Sequence, residues 1–340
     1  MYANEIAQAL STHKRFDEEL WNFAEQVHKR RLVNLSEKEL QARLFSIEKA
    51  ICYLEPTPSS RLSLPPEHSW VSPWYWLRQR HWTISEFKHR SMEAPSPTFF
   101  DDPSSIRQEF HGLLRGGSKL LTRVSRLPWL TDTLTRGLIR LAPASSYELI
   151  ENDQARTDDE LVRQTKTPGD LVTITTENGR TIPIIGDLVR SSSRRKIAGN
   201  PELDYWLTSF STELDPRLVG EFPSKENDDA ILVIFDVMEF IQRCVPHLNK
   251  AATYSEKALE QIEYFDSFHD APKHLSVRDT KDIRFAYQRE WRLTVDPKGK
   301  EDPGDGAPLF IEIGSIADIA GIYMPGGERA LGFGPSSFLE

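Results

Sequence analysis

Three side chains in the stretch Phe285–Val295 have the types and spacing to do chemistry: Gln288, Glu290 and Arg292. Read as a β-strand, the stretch turns alternate residues to opposite faces. Phe285, Tyr287, Trp291, Leu293 and Val295 then share a greasy face, interrupted by Arg289. Ala286, Gln288, Glu290, Arg292 and Thr294 share the other. An amide, a carboxylate and a guanidinium in one row can line a cleft, the carboxylate stabilising positive charge that develops on a substrate. The same row can be the solvated face of an edge strand, with Glu290 and Arg292 a surface ion pair of little energetic weight.

Two further groups carry charge at suggestive spacing. Arg115, Lys119, Arg123 and Arg126 fall at helical steps and form a basic stripe on the helix expected over 104–140. Such a stripe holds a phosphate backbone, or it is solvated, or it pairs with acids elsewhere. Trp70, Trp74, Tyr75, Trp76 and Trp82 sit among Arg78, Arg80, His81, Lys88, His89 and Arg90. Aromatics among cations can stack single-stranded nucleic acid, and tryptophans also pack the halves of a protein together.

Asp266, His269, Asp270 and His274 have metal-ligating types, but they lie in a loop around Ala271-Pro272 and lack a regular ligand spacing. Glu301-Asp302-Pro303-Gly304-Asp305-Gly306 departs from the calcium-loop pattern and reads as a hairpin tip. No metal is therefore expected. The chain has no P-loop, dinucleotide-type glycine motif, nucleophile elbow or Cys-x-x-Cys.

The elements that must position these residues follow from periodicity. Helix is expected over 3–32, and again behind Ser36-Glu37-Lys38-Glu39, a capping box, ending before Pro56. Asn178-Gly179 between Leu171–Thr175 and Thr181–Ile185 predicts a hairpin, with Pro183 at an edge. Ser191-Ser192-Ser193-Arg194-Arg195-Lys196 reads as a polar, basic loop. Strands are expected over Tyr205–Glu213, Ala230–Asp236 (central), Leu309–Ile313 and Ile319–Tyr323. Helices are expected over Val237–Cys244 and 253–263, and a loop-like tail from Pro325. The layout is α+β: a helical region over 1–140 with the Trp-rich and basic segments, then a mixed, mainly antiparallel β domain over 141–340 carrying the site.

At 340 residues the chain is long enough for two domains, and 39% apolar content suffices for a core. A net charge of −9 argues against a polyanion-coating protein but leaves a local basic patch open. Two distant cysteines, Cys52 and Cys244, point to a reducing compartment. With no signal-peptide pattern and no apolar run of membrane length, a cytoplasmic protein without membrane contact is expected.

Two resemblances bear on function. Over about 200–325, the order of the Ser-Phe-Ser-Thr-Glu strand, Ala-Ile-Leu-Val-Ile-Phe-Asp, Ile-Glu-Tyr-Phe-Asp, Lys281 with Phe-Ala-Tyr-Gln-Arg-Glu-Trp-Arg-Leu, and Ile-Ala-Gly-Ile-Tyr resembles the bacterial family called domain of unknown function 2971. Some of its relatives are tied to abortive-infection phage defence. The family's Trp-Ser-His-Tyr stretch is replaced here by Leu214–Asp229. Phe210-Ser211-Thr212 followed by Gln288-Arg289-Glu290 is similar to the Ser-Thr-Ser and Glu/Gln-x-Glu elements of ADP-ribosyltransferases, with Glu213 in place of the last serine. That resemblance implies a matching fold, NAD as substrate, and a macromolecular acceptor, protein or nucleic acid. Glu290 and Gln288 would be catalytic; Ser211 and Thr212 would bind NAD, Ser211 at the nicotinamide ribose or else in support of Glu290, and Arg292 would contact the pyrophosphate or brace Glu290. The early arginine it asks for has three candidates, Arg140, Arg163 and Arg190, with Arg163 carried into the site. The other reading is a non-catalytic module that binds nucleic acid or protein.

Overall fold

A computed structural model describes residues 21–23, 30–53, 73–96, 107, 110, 120–149, 159–194, 204–224, 226–251, 256–268, 274–296 and 307–339. The helix expected over 3–32 lies largely outside them. The first long helix, α1 (Glu37–Cys52), starts at the expected capping box: Ser36 Oγ accepts from Glu39 N–H, and the Glu39 carboxylate accepts from Ser36 N–H at 2.8 Å. Helix α2 (Pro73–His89) carries much of the Trp-rich segment. Trp76 and Tyr75 are buried, and together with Ile47 and Ile51 of α1 they pack against Ile262, Tyr264, Ile283, Phe285 and Ala286. Arg78 lies over the rings of Tyr75 and Trp82, and Arg80 pairs with Glu48. These contacts favour packing over a stacking platform for this segment.

The helix expected over 104–140 is replaced in its described part. Leu121–Arg126 is a strand, β1, followed by helix α3 (Leu127–Arg136) and strand β2 (Leu138–Pro143). Six rungs of antiparallel pairing decide this locally, since Thr122 and Val124 suit a pleat. Pro128 supplies the first turn of α3 rather than breaking a longer helix. The anticipated boundary near residue 140 thus falls inside β2.

Gly137 ends α3 in the left-handed region (φ 66°), where a Cβ would stand 2.1 Å from the Gly314 carbonyl oxygen. Gly137→Ala is therefore expected to destabilise the fold by more than about 1 kcal/mol in denaturant unfolding. An unchanged midpoint would contradict the close approach of these two loops.

The remaining strands follow in order: β3 (Val162–Pro168), β4 (Ile174–Thr175), β5 (Thr181–Ile182), β6 (Asp187–Ser193), β7 (Trp206–Ser211), β8 (Asp229–Ile234), β9 (Glu256–Gln261), β10 (Glu263–Phe265), β11 (Thr280–Asp282), β12 (Glu290–Asp296), β13 (Leu309–Glu312), β14 (Ala320–Tyr323) and β15 (Arg329–Gly332). Helices α4 (Arg217–Glu221) and α5 (Val237–Ala251) flank β8. A nine-stranded sheet runs β13-β2-β7-β1-β8-β14-β15, with β12 also on β7 and β9 on β12. Pairing is antiparallel except between β10 and β11. The class is α+β, as the pattern predicts. The Asn-Gly hairpin forms between β4 and β5, with Gly179 at φ 78°.

Four further segments depart from expectation. Ser191–Ser193, read as the start of a loop, instead end strand β6, paired with 162–164 of β3. Residues 256–261 form strand β9 rather than a helix, held by six rungs to β12. The tail contains β15, paired to β14. Ile283–Gln288 is a 3-10 turn, not the first half of a strand. The Asp282 side chain caps this turn by accepting from Arg284 N–H, and Arg289 ends it with φ 49°. The alternation read across Phe285–Gln288 is absent there: all four residues are buried.

Leu121, Phe210, Leu232, Trp291, Leu293 and Val295 pack against α3 and against Phe240, Cys244 and Leu248 of α5. The opposite face of β7 and β12 carries the polar row.

Candidate functional site

Strand β12 pairs with β7 so that Glu290 faces Ser211 and Arg292 faces Ser209. All four side chains fall on one face, away from Phe210 and Trp291. Ser209 Oγ donates to Glu290 Oε1 at 2.5 Å, and Arg292 Nε donates to the same oxygen at 2.5 Å. Lys281 Nζ donates to Glu290 Oε2 at 2.9 Å and to Gln288 Oε1 at 3.1 Å. Gln288 therefore reaches Glu290's surroundings through the turn and the left-handed Arg289, rather than by sitting two places back on a strand. The backbone N–H of Glu290 donates to Tyr264 Oη at 2.9 Å, which fixes the start of the strand.

A second carboxylate closes the group. Arg292 Nη2 donates to Glu160 Oε1 at 2.6 Å, and Lys281 Nζ lies 3.5 Å from that oxygen. Arg163 Nη2 donates to Glu160 Oε2 at 2.8 Å. Arg163, Lys281 and Arg292 against Glu160 and Glu290 leave one positive charge in excess, all of it buried. Burial opposes ionisation of Glu290, but Arg292 and then Lys281 outweigh it and hold the carboxyl well below the ordinary range. Glu160 is lowered in the same way: burial opposes, and Arg292, Lys281 and Arg163 prevail. Burial works against the Arg292 charge, yet Glu160 and Glu290 raise its pKa well above the usual value.

Both folded carboxyls release protons more readily than in the unfolded chain, where their ordinary value is 4.5. As pH falls through that value the unfolded state binds protons first, so stability is present above it and is lost below it. Glu86, Asp228 and Asp318 are also lowered and act in the same direction. Glu260 and Glu263, raised by burial and by Asp279, act in the opposite one. With the lowered groups in the majority, the urea midpoint is expected to hold near neutral pH and to drop as pH falls below about 4.5. A midpoint unchanged down to about pH 3.5 would contradict the buried pairing.

The other expected site residues are placed as follows. Ser211 Oγ donates to the Glu213 carbonyl at 3.0 Å, so Ser209, on the same face, makes the contact to Glu290 expected of Ser211. Thr212 is fully buried, its N–H donates to the Arg289 carbonyl, and its hydroxyl has no hydrogen-bond partner among the described residues. Arg163 is buried and bonded to Glu160 and to the Thr280 and Asp159 carbonyls, which makes it a brace for Glu160. Arg140 faces Phe310 of β13, and Arg190 is exposed on β6.

The basic stripe does not form as a helix face. Arg123 and Arg126 lie on β1, three places apart and thus on opposite faces. Arg123 donates to Thr208 Oγ1 and lies over the Phe210 ring. Arg126 pairs with Asp228 and Glu226 and lies over Trp129. Arg115 and Lys119 lie outside the described residues, as do His269 and Asp270. Asp266 is held bidentately by Arg43, at 2.9 and 2.5 Å.

Beside this face the sheet splits. One edge of β7 pairs with β12 along its length, while the other meets β2 at Trp206 and Leu207 and β1 at Ser211. Tyr147 lies close enough to feel the charges of Arg123, Glu160 and Glu290, and burial above all raises its phenol pKa. Ser209, Ser211 and Tyr147 are only half-buried, whereas Glu290 itself is buried.

Sequence reading missed Lys281, Glu160, Ser209 and Tyr264 as parts of the site. The period-two alternation carries Ser209 onto the face of Ser211. Glu160, 130 positions before Glu290, has no local signal. Among the described residues, no helix is long and apolar enough to cross a membrane. The chain matches no protein-family model, no curated protein and no solved structure.

Proposed function

We propose that the chain is an ADP-ribosyltransferase-like enzyme that cleaves NAD and transfers the ADP-ribosyl group to a macromolecular acceptor. Its setting would be the cytoplasm of a bacterium, as an effector of a phage-defence or toxin system. The observation that carries this reading is the Ser209–Glu290 contact across β7 and β12, beside the half-buried Ser211.

In this account the bond between the ribose C1′ and the nicotinamide nitrogen breaks, and its electron pair leaves with nicotinamide. The cationic ribose is stabilised by the ionised Glu290. The acceptor's lone pair then forms the new bond to C1′, and its proton passes to solvent. Ser209 orients Glu290 and Arg292 keeps it charged. Gln288 positions the acceptor. An ammonium on Glu290 Oε2 opposes a cationic state, so substrate must draw Lys281 aside. Glu160 Oε1, 3.5 Å away, is the second acceptor to which Lys281 can move.

A binding module is the other reading, and one observation favours it. Both oxygens of Glu290 are already held by cations, as in a structural ion cluster. The test is incubation with NAD labelled in the adenylate, with protein and nucleic-acid acceptors. Label moved to an acceptor supports the enzyme. Stable complexes with no label moved and no nicotinamide released would leave the module.

A further inference from the structure

The face that holds Glu290 continues along β12 to a second charged group. Asp296 ends the strand, on the same side as Glu290 and Arg292. Arg194, just beyond β6, and Arg278, in the turn before β11, each send one nitrogen to it. Arg278 Nη1 lies 2.5 Å from Oδ2, and Arg194 Nη1 bonds to Oδ1. The Asp296 side chain is 7% exposed, whereas those of Arg194 and Arg278 are 29% and 25% exposed. Two guanidinium groups share one inner carboxylate and form its outer side. Arg194 lies over the Tyr205 ring, which fixes its direction. Arg278 is tied to the first site, because its carbonyl accepts from Arg292 Nη1 at 3.3 Å.

The chain leading into this fork has a matching composition. Residues 190–196 read Arg-Ser-Ser-Ser-Arg-Arg-Lys, with no acid among them. Arg190 and Ser191 are exposed on β6. Arginine and serine are among the side chains that meet phosphate oxygens of nucleic acids. Glu260 and Asp279 lie beside Arg278 and work against anion binding there, so Arg194 carries the larger share of the two.

We infer that the Arg194–Arg278 fork and the 190–194 segment bind the phosphate backbone of a nucleic acid, which is then the acceptor presented to Glu290. The identity of the acceptor rests on the reading of Glu290 proposed above, whereas the binding does not. Spacing favours a strand over a mononucleotide. Six residues at about 3.3 Å separate Asp296 from Glu290, roughly 20 Å, more than one nucleotide spans.

The experiment is fluorescence anisotropy of the full chain with labelled single-stranded DNA and RNA oligonucleotides across a salt series, without NAD. The wild type binds, and Arg194→Ala weakens binding at least fivefold and lowers the salt slope by about 0.7. Asp296→Asn, which removes the competing carboxylate, tightens binding about threefold. That gain has the opposite sign to the effect of losing a structural brace. Absence of oligonucleotide binding at low salt overturns the inference, as does affinity unchanged in both variants. So does labelled NAD reaching only protein acceptors, equally in wild type and Arg194→Ala. Oligonucleotide binding without NAD cleavage upholds the surface and removes only the catalytic reading.

Discussion

Arg292→Met is expected to destabilise the protein by about 3–5 kcal/mol at neutral pH, the largest single effect in the sheet. Arg292 is completely buried and bonds to both Glu160 and Glu290. Its loss leaves two interior carboxylates sharing Lys281 and Arg163. A methionine fills much of the volume, so the cost arises from uncompensated charge rather than from a cavity. The penalty should shrink as pH falls below the carboxylates' ordinary value of 4.5, because a protonated carboxyl no longer needs the guanidinium. Converting the cluster together, with Glu160→Gln, Glu290→Gln and Arg292→Met in one chain, should recover part of the loss. Urea unfolding at two pH values checks all three statements. A loss under about 1 kcal/mol at neutral pH would mean that water already reaches the cluster.

Glu290→Gln is expected to lower NAD cleavage by about 10²–10³-fold, the scale of losing one preorganised charge-stabilising group. The amide keeps the shape and can still accept from Ser209 and Arg292, but it offers no negative charge to a cationic ribose. It also leaves Arg163, Lys281 and Arg292 facing Glu160 alone, so folding must be verified before rates are compared. Ser209→Ala removes one orienting hydrogen bond and should cost less, about tenfold. A Glu290→Gln protein that is folded and as active as wild type would show that the carboxylate only braces the sheet.

Much of the architecture is written in local patterns. The Ser36–Glu39 capping box sets the start of α1, Asn178-Gly179 makes its hairpin, and the apolar run over 230–234 is β8. The failures share one cause. Residues 121–126, 256–261 and 283–288 have patterns compatible with more than one element, and distant partners choose among them. β8 draws 121–126 into a strand, and β12 does the same to 256–261. α1 and α2 cover Ile283, Phe285 and Ala286, so apart from the exposed Arg284 the turn is buried and no polar face remains to alternate. Arg289 then enters the left-handed region, which no local motif announces. In the site, Glu290 and Arg292 were legible because they alternate along a real strand. Lys281 stands in the order of segments that carries the first resemblance but with no role beside Glu290, and Glu160 has no local signal; the fold brings both to the β12 face.

The most direct measurement is the rate of nicotinamide release from NAD by the purified full chain, wild type beside a folded Glu290→Gln variant, with nucleic-acid and protein acceptors present. The account predicts release by the wild type and a drop of at least about 10²-fold in the variant. No release by the wild type with any acceptor, or equal release by both proteins, would contradict it.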